Sequence, residues 1–218
     1  MTSLMIMVCR TQWERCGLMT EEFDNTAEAI KRLQELQSVR LSVGVPWLNN
    51  HLNMIAMVQE YGKTIVPVNR QWLALPTPNS GDKRPADFKN LFFMLGKTAD
   101  QAYLAMPDAN SGFKIMFILR KSVVIPPRPF LRYSFNHHLG RWTELGADLA
   151  FKCMVGEIEP KDVYSVLGEA MVKDIKQTIT DFSTPSNAPL TAKNKGFNDP
   201  LIDSGELRDS ITWITERI

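Results

Sequence analysis

Three histidines, three cysteines and one serine set among acids are the residues whose types could carry chemistry in this chain. A zinc site needs thiolate or imidazole ligands converging at short, defined spacings. Cys9 and Cys16 have six residues between them and no histidine nearby, and Cys153 stands far from both. His51 is remote from His137 and His138, which are adjacent on a helical stretch. Neighbours on a helix point in different directions, so the pair reads as a solvated face and not as one ligand set. The run Asp203-Ser204-Gly205-Glu206 sets a hydroxyl beside carboxylates. It lacks the glycine that precedes the serine of a nucleophile elbow. Asp203 or Ser204 reads instead as a helix N-cap, its oxygen turned toward the amides of residues 206–208. Glu157 and Glu159 are close in sequence, but a glycosidase pair needs a cleft that no sequence pattern displays. Gly81, Gly96 and Gly112 are isolated turn glycines and make no phosphate loop. The expectation is therefore a non-enzyme with no metal and no cofactor.

Arg128, Arg132 and Arg141, close to Phe130 and Trp142, leave three roles open: facing DNA, facing a neighbouring subunit, or facing solvent. With Lys195 they would be the contacts of a small nucleic-acid-binding protein. A net charge of +1, from 25 basic and 24 acidic residues, speaks against a dominant basic patch. At 44% hydrophobic and 22% charged the chain can bury an ordinary core. Eleven methionines suit adaptable core filling. The odd cysteine count reads as reduced and cytosolic. The apolar run Leu4-Met5-Ile6-Met7-Val8 is too short for a signal peptide, with Arg10 and Glu14 following. No apolar run approaches ~18 residues, so no membrane span is expected.

The elements that must position these residues follow from hydropathy period. Residues 4–8 read as a buried strand. Asn25 precedes Glu28 by three, a capping-box start to a helix over 26–39 on which Ala29, Ile30, Leu33 and Leu36 recur. Residues 41–45 alternate as a strand ended by Pro46. Residues 51–61 form a short amphipathic helix stopped by Gly62. From 63 to 120, Pro67, Pro76, Pro78 and Pro85 interrupt the apolar runs 72–75, 91–95, 103–106 and 115–119, a meander of short strands with an exposed tip at 79–82.

After Pro126-Pro127 the period becomes helical. Phe135, Leu139, Trp142, Gly146, Leu149 and Cys153 form one stripe on a helix of about six turns. Pro160 opens a second helix carrying Val163, Leu167, Met171, Ile175 and Ile179, antiparallel to the first across the link at 156–160. Residues 211–214, with Trp213, read as a last strand. The fold class is α+β in a single domain over 1–218: a small, mainly antiparallel sheet packed against two long helices, with a strand-rich insertion at about 63–124 and an extended C-terminal arm at about 183–200. Pro126, Pro127 and Pro129 fix φ and remove three amide donors, so this segment makes a stiff corner and Pro129 pre-organises a helix start. The arm is too polar to fold on itself and is expected to lie on a neighbouring subunit.

Three segments, in this order, resemble a family of tailed-phage neck proteins, the tail-completion or head–tail joining proteins. Residues 54–62 (MIAMVQEYG) are similar to the family's helix that ends in Glu, an aromatic and Gly. Residues 125–132 (IPPRPFLR) are similar to its corner leading into a long helix. Residues 188–211 resemble its tail: a Pro-rich arm, a turn at Lys195-Gly196, then Pro-Leu-Ile-Asp-Ser-Gly-Glu-Leu, which is the most specific match. The likeness covers most of the chain from about residue 20. The sixty or so residues after Gly62 depart from compact members, although larger members carry a comparable strand-rich insertion.

The resemblance implies a structural virion protein, made in the bacterial host cytoplasm. It would form a homo-oligomeric ring, a hexamer, at the phage neck, complete the tail and join it to the head connector. Its partners would be the head connector or adaptor and the tail terminator or tail tube proteins, with a passing contact to DNA in the lumen. The resemblance gives structural or interface roles to Pro126, Pro127, Arg128, Pro129, Phe130, Leu131, Arg132, Leu201, Ile202, Asp203, Ser204, Gly205, Leu207 and Arg208. A tail terminator or capsid-assembly factor of the same particle is the nearest alternative. A nucleic-acid-binding protein is an alternative of another class, and a salt-dependent shift of duplex DNA would favour it.

Overall fold

The computed structural model describes residues 25–47, 50–98 and 100–218. The expected strand at 4–8, Cys9 and Cys16 lie outside them. Helix α1 (Thr26–Gln37) leads directly into strand β1 (Val39–Gly44). Asn25 stands at the N-cap of α1, but its side chain makes no capping hydrogen bond, so the expected box does not form. Helix α2 (Asn50–Tyr61) follows and buries Leu52, Ala56 and Glu60.

Two long helices carry the main core. They are α3 (Phe130–Met154) and α4 (Pro160–Asp181), which run antiparallel on either side of the turn at Gly156. Pro160 occupies the first turn of α4 as its lack of an amide donor allows. The buried residues of α3 are Phe130, Ser134, Trp142, Leu149 and Cys153. The second half of the expected stripe is therefore inward. Phe135 and Leu139 are not: they are 50% and 45% exposed. The helix starts at Phe130, whose ring is fully buried, and four-residue steps from that anchor select Ser134 and Trp142. Phe130, Trp142, Ile175, Ile179, Leu201, Leu207 and Ile211 share one core with Ala56, and Leu149, Cys153 and Val163 form a second cluster.

Among the described residues the strands form three separate antiparallel sheets. β1 pairs with the terminal strand β8 (Thr212–Arg217), from Val39 opposite Arg217 to Gly44 opposite Thr212. This ladder lies on α4, where Gly168 meets the Trp213 ring. A Cβ at 168 would stand 2.6 Å from that indole. Glycine to alanine inside a helix ordinarily stabilises by about 1 kcal/mol. Here Gly168→Ala is expected to destabilise by ~1–3 kcal/mol through overpacking. A melting temperature that rises in this variant would show that Trp213 moves freely.

The strand-rich insertion is closed at its base by β2 (Lys63–Ile65) paired with β7 (Val123–Ile125), Lys63 opposite Ile125. Beyond it stands a four-stranded sheet ordered β3-β6-β5-β4, made of β3 (Leu73–Pro76), β4 (Phe92–Leu95), β5 (Gln101–Asp108) and β6 (Gly112–Arg120). A register shift at Leu104/Ala105 kinks β5 against β6. Phe88 packs edge-on against the buried Phe117 at 5.9 Å. The 79–82 tip is less exposed than its composition implies. Ser80 is buried because its hydroxyl donates to the Thr77 carbonyl at 2.9 Å, while Asn79, Gly81 and Asp82 stay outside.

Candidate functional site

The three segments that carry the resemblance meet at one junction. Helix α2 ends at Tyr61, and Gly62 turns the chain at φ +72° against the proline corner. A Cβ there would fall 2.9 Å from the Ile125 carbonyl oxygen and from the Pro127 nitrogen, so only glycine fits. Pro126, Pro127 and Pro129 carry the chain from β7 into α3, and no ladder needs the amides they lack.

Two arginines lock this corner. The Arg128 amide donates to the Gln59 carbonyl at 2.5 Å, and its guanidinium donates to Gln59 Oε1 at 3.0 Å. The same guanidinium reaches the arm, donating through Nε to the Pro185 carbonyl at 2.9 Å and through Nη2 to the Ser186 carbonyl at 3.1 Å. Arg128 is 5% exposed. Burial lowers its pKa from the ordinary arginine value, and the group stays charged at neutral pH because that value is so high.

Glu60, 4% exposed, serves the next residues. Its carboxylate accepts the Leu131 amide at 3.0 Å, the Arg132 amide at 3.2 Å and Arg132 Nε at 2.8 Å. Arg132 Nη2 donates to the Glu60 carbonyl at 2.9 Å, and its guanidinium lies 4.9 Å from the centre of the Tyr61 ring. An acidic group thus caps the α3 N-terminus from another helix, where free amides and the helix dipole favour negative charge.

The arm is ordered on its own chain. It contains helix α5 (Pro189–Lys195), closed by Gly196 at φ +80° where the Lys195-Gly196 turn was expected. Asn187 bonds to Asn198 and Asp199, and Asn194 Nδ2 donates to the Pro76 carbonyl at 2.9 Å. Lys195 Nζ donates to the Asp199 carbonyl at 3.0 Å and to the Ile202 carbonyl. Its pKa is lowered by burial first, an effect opposed by Asp203 and reinforced by Arg128. The arm thus has these contacts within its own subunit, while most of its residues from 183 to 199 stay exposed. Its composition is polar, but backbone carbonyls facing buried Arg128 order it without an apolar core.

Beyond the arm, Leu201 and Leu207 enter the main core and Ile202 packs against it. Helix α6 (Glu206–Asp209) has Gly205 at its N-cap, at φ +87°, with no side-chain cap from that residue. Asp203 is exposed and is not the cap. The Ser204 hydroxyl accepts the Glu206 amide at 3.4 Å, a long version of the expected bond. Arg208 forms an exposed ion pair with Asp209 at 2.9 Å. Between α2, the corner, α5 and residues 200–207 lies a groove of about 730 Å³ with walls that include Leu52, Ile55, Ile125, Leu190 and Leu207.

Each of the three arginines has a protein acceptor, but only Arg128 is buried, while the Arg132 and Arg141 side chains are 57% and 60% exposed. Arg141 pairs with Asp174, which also accepts Trp142 Nε1 at 2.7 Å. His137 and His138 stand edge to face, with centroids 5.0 Å apart, in a line of rings running from Tyr133 to Trp142. Burial, then His137 and Arg141, hold the His138 imidazole below its ordinary value. The unfolded chain then binds more protons in acid than the folded one. This contribution is complete above the unfolded value of about 6.5 and is lost as pH falls through the depressed folded value. His138→Gln is expected to flatten that acid limb in chemical denaturation at stepped pH. An unchanged limb would place the acid sensitivity elsewhere.

Neither a family model nor a curated protein nor a solved structure matches this chain. Among the described residues no group of His, Cys, Asp and Glu could hold a metal ion. Among them, too, no helix is long and apolar enough to cross a membrane. Gln59 and Glu60 were missed by sequence reasoning, although a signal for Glu60 existed. It continues the Leu52–Ala56 buried stripe by one four-residue step, and a carboxylate on an apolar stripe calls for a partner.

Proposed function

We propose that this chain is a structural subunit of a ring at the neck of a tailed phage, which completes the tail and joins it to the head connector. The observation that carries the reading is the convergence of the three resembling segments. Gln59 and Glu60 from the first hold 128–132 from the second by hydrogen bonds, and Leu201, Leu207 and Ile211 from the third share one core with Ala56 of the first and Phe130 of the second. A long helix launched at a fixed angle from such a corner is what a ring subunit needs to keep a constant shape from copy to copy. The surface agrees: Trp47, Val68, Leu95 and Val124 are all strongly exposed apolar residues, and Met54, Met57 and Tyr61 line the outer face of α2. These exposed apolar side chains support a reading in which other chains cover them. Engagement of Arg128, Arg132, Arg141 and Lys195 with protein acceptors gives each of them a structural role, which favours the ring reading over the nucleic-acid alternative.

The test is the mass of the purified chain in solution, alone and after mixing with tails that lack their upper end. A closed ring, or conversion of such tails to a form that joins heads, is expected. A chain that stays monomeric and leaves the tails unchanged overturns the reading.

A further inference from the structure

The near-zero net charge conceals a segregation. Residues 63–124 carry nine basic and four acidic side chains, whereas the rest of the chain carries sixteen basic and twenty acidic. The basic excess is outward: Lys63, Arg70, Lys83, Arg84, Lys89, Lys97, Lys114 and Lys121 are all exposed. Only Lys121 of these is in an ion pair among the described residues, with Asp100 at 3.2 Å.

The basic segment also has an open apolar edge. Among the described residues β4 is the last strand of its sheet and pairs on one side only, with β5. Its sequence is Phe92-Phe93-Met94-Leu95, with Phe93 51% and Leu95 77% exposed, and Lys89 and Lys97 bracket it. Duplex DNA would match the lysines but has no use for the phenylalanines and the leucine.

The complementary surface lies at the far end of the same molecule. Glu144, Asp148, Phe151 and Val155 follow one another at spacings of four, three and four, which puts them on one face of α3, and all are exposed. Glu157 and Glu159 follow in the turn. Residues 144–162 hold five acidic and two basic side chains. The basic segment joins the molecule beside the first turn of α3 and this acidic end closes its last turn. The two are separated by the 25-residue helix, about 37 Å at ~1.5 Å per residue.

We infer that the β4 edge of the 63–124 segment, with Lys89 and Lys97, docks on the Glu144–Val155 face of a second copy of this chain. The inference rests on the ring reading above and names the surfaces that would build it. Apolar side chains meet at the centre, and lysines meet carboxylates at the rim, the anatomy of a specific interface. The two surfaces are unlike and sit at opposite ends of α3, so the contact is heterologous and propagates from copy to copy, which a closed ring requires.

Two surface variants test it, Lys89→Glu with Lys97→Glu, and Glu144→Lys with Glu157→Lys. Assembly would be followed by sedimentation from low to high salt, with helicity confirming that each variant folds. Each variant alone is expected to need at least ten times more protein to assemble, and mixing the two should restore mixed assemblies. Wild-type assembly should weaken with salt, since rim pairs are screened. If both variants form the same ring as the wild type, this contact is wrong while the ring reading stands. Assembly that stops at a two-fold dimer through β4 overturns it as well. So does loss of binding to a short duplex DNA in the lysine variant with assembly unchanged, which would make the basic segment a nucleic-acid surface. A wild-type chain that stays monomeric with and without tails defeats the ring reading and this contact together.

Discussion

Replacing Glu60 with alanine is expected to cost about 3 kcal/mol of folding stability, the sum of two lost helix caps at ~1 kcal/mol each and a lost carboxylate–guanidinium bond. The carboxylate is buried and holds the Leu131 amide, the Arg132 amide and Arg132 Nε. The full penalty for breaking a buried ion pair, ~3–5 kcal/mol, does not apply. Arg132 has 57% of its side chain exposed, and water can take over its guanidinium. For a chain of this length the loss corresponds to a fall in Tm of about 6–12 °C. Glu60→Gln keeps an acceptor for one amide and should lose about half as much. The measurement is urea unfolding of the two variants beside the wild type. If Glu60→Ala stays within ~0.5 kcal/mol of wild type, the α2–α3 clamp does not hold the corner. In the ring reading, both variants should also complete tails poorly at temperatures where they remain folded, because the launch angle of α3 loosens before the core melts.

Leu207→Ala should destabilise by ~2–5 kcal/mol, the range for a buried leucine that leaves a cavity. Leu207 is 6% exposed and sits in the core with Phe130, Leu201 and Ile211. Ser204→Ala removes only the long bond from the Glu206 amide, at a helix end already shaped by Gly205, and should cost less than ~1 kcal/mol. Thermal melts of the two variants decide between a structural and a chemical role for the 201–207 segment. A folded Ser204→Ala protein that fails in function, beside a tolerated Leu207→Ala, would make the serine a reactive group and overturn the structural reading.

Period and punctuation determined most of the fold. Helix α4 was legible from its four-residue steps and from Pro160, and the end of α2 from Gly62. The strands of the insertion were legible from short apolar runs between prolines, and the proline corner from its missing amides. These are local signals, because a helix or strand writes its exposed and buried faces at spacings of a few residues. The phase of the first half of α3 was not legible. Both the Phe135–Leu139 face and the Phe130–Ser134 face are helical, and only the burial of the Phe130 ring chooses between them.

The partners of charged groups were beyond sequence for the same reason. Arg128 reads as a free cation until Gln59, 69 residues away, and the carbonyls of Pro185 and Ser186 are brought to it. Glu60 and Arg132 are separated by 72 residues. The arm looks unable to fold because its composition offers little apolar surface, and it is ordered by backbone carbonyls that composition does not describe. Sequence by itself determined the long helices, most of the strands and the corner, though not helix α5 in the arm, through side-chain spacing and the geometry of proline and glycine. Only the tertiary structure decided which arginines are spent on the fold, because a hydrogen bond depends on distance in space, and packing alone brings segments so far apart in the chain within 3 Å.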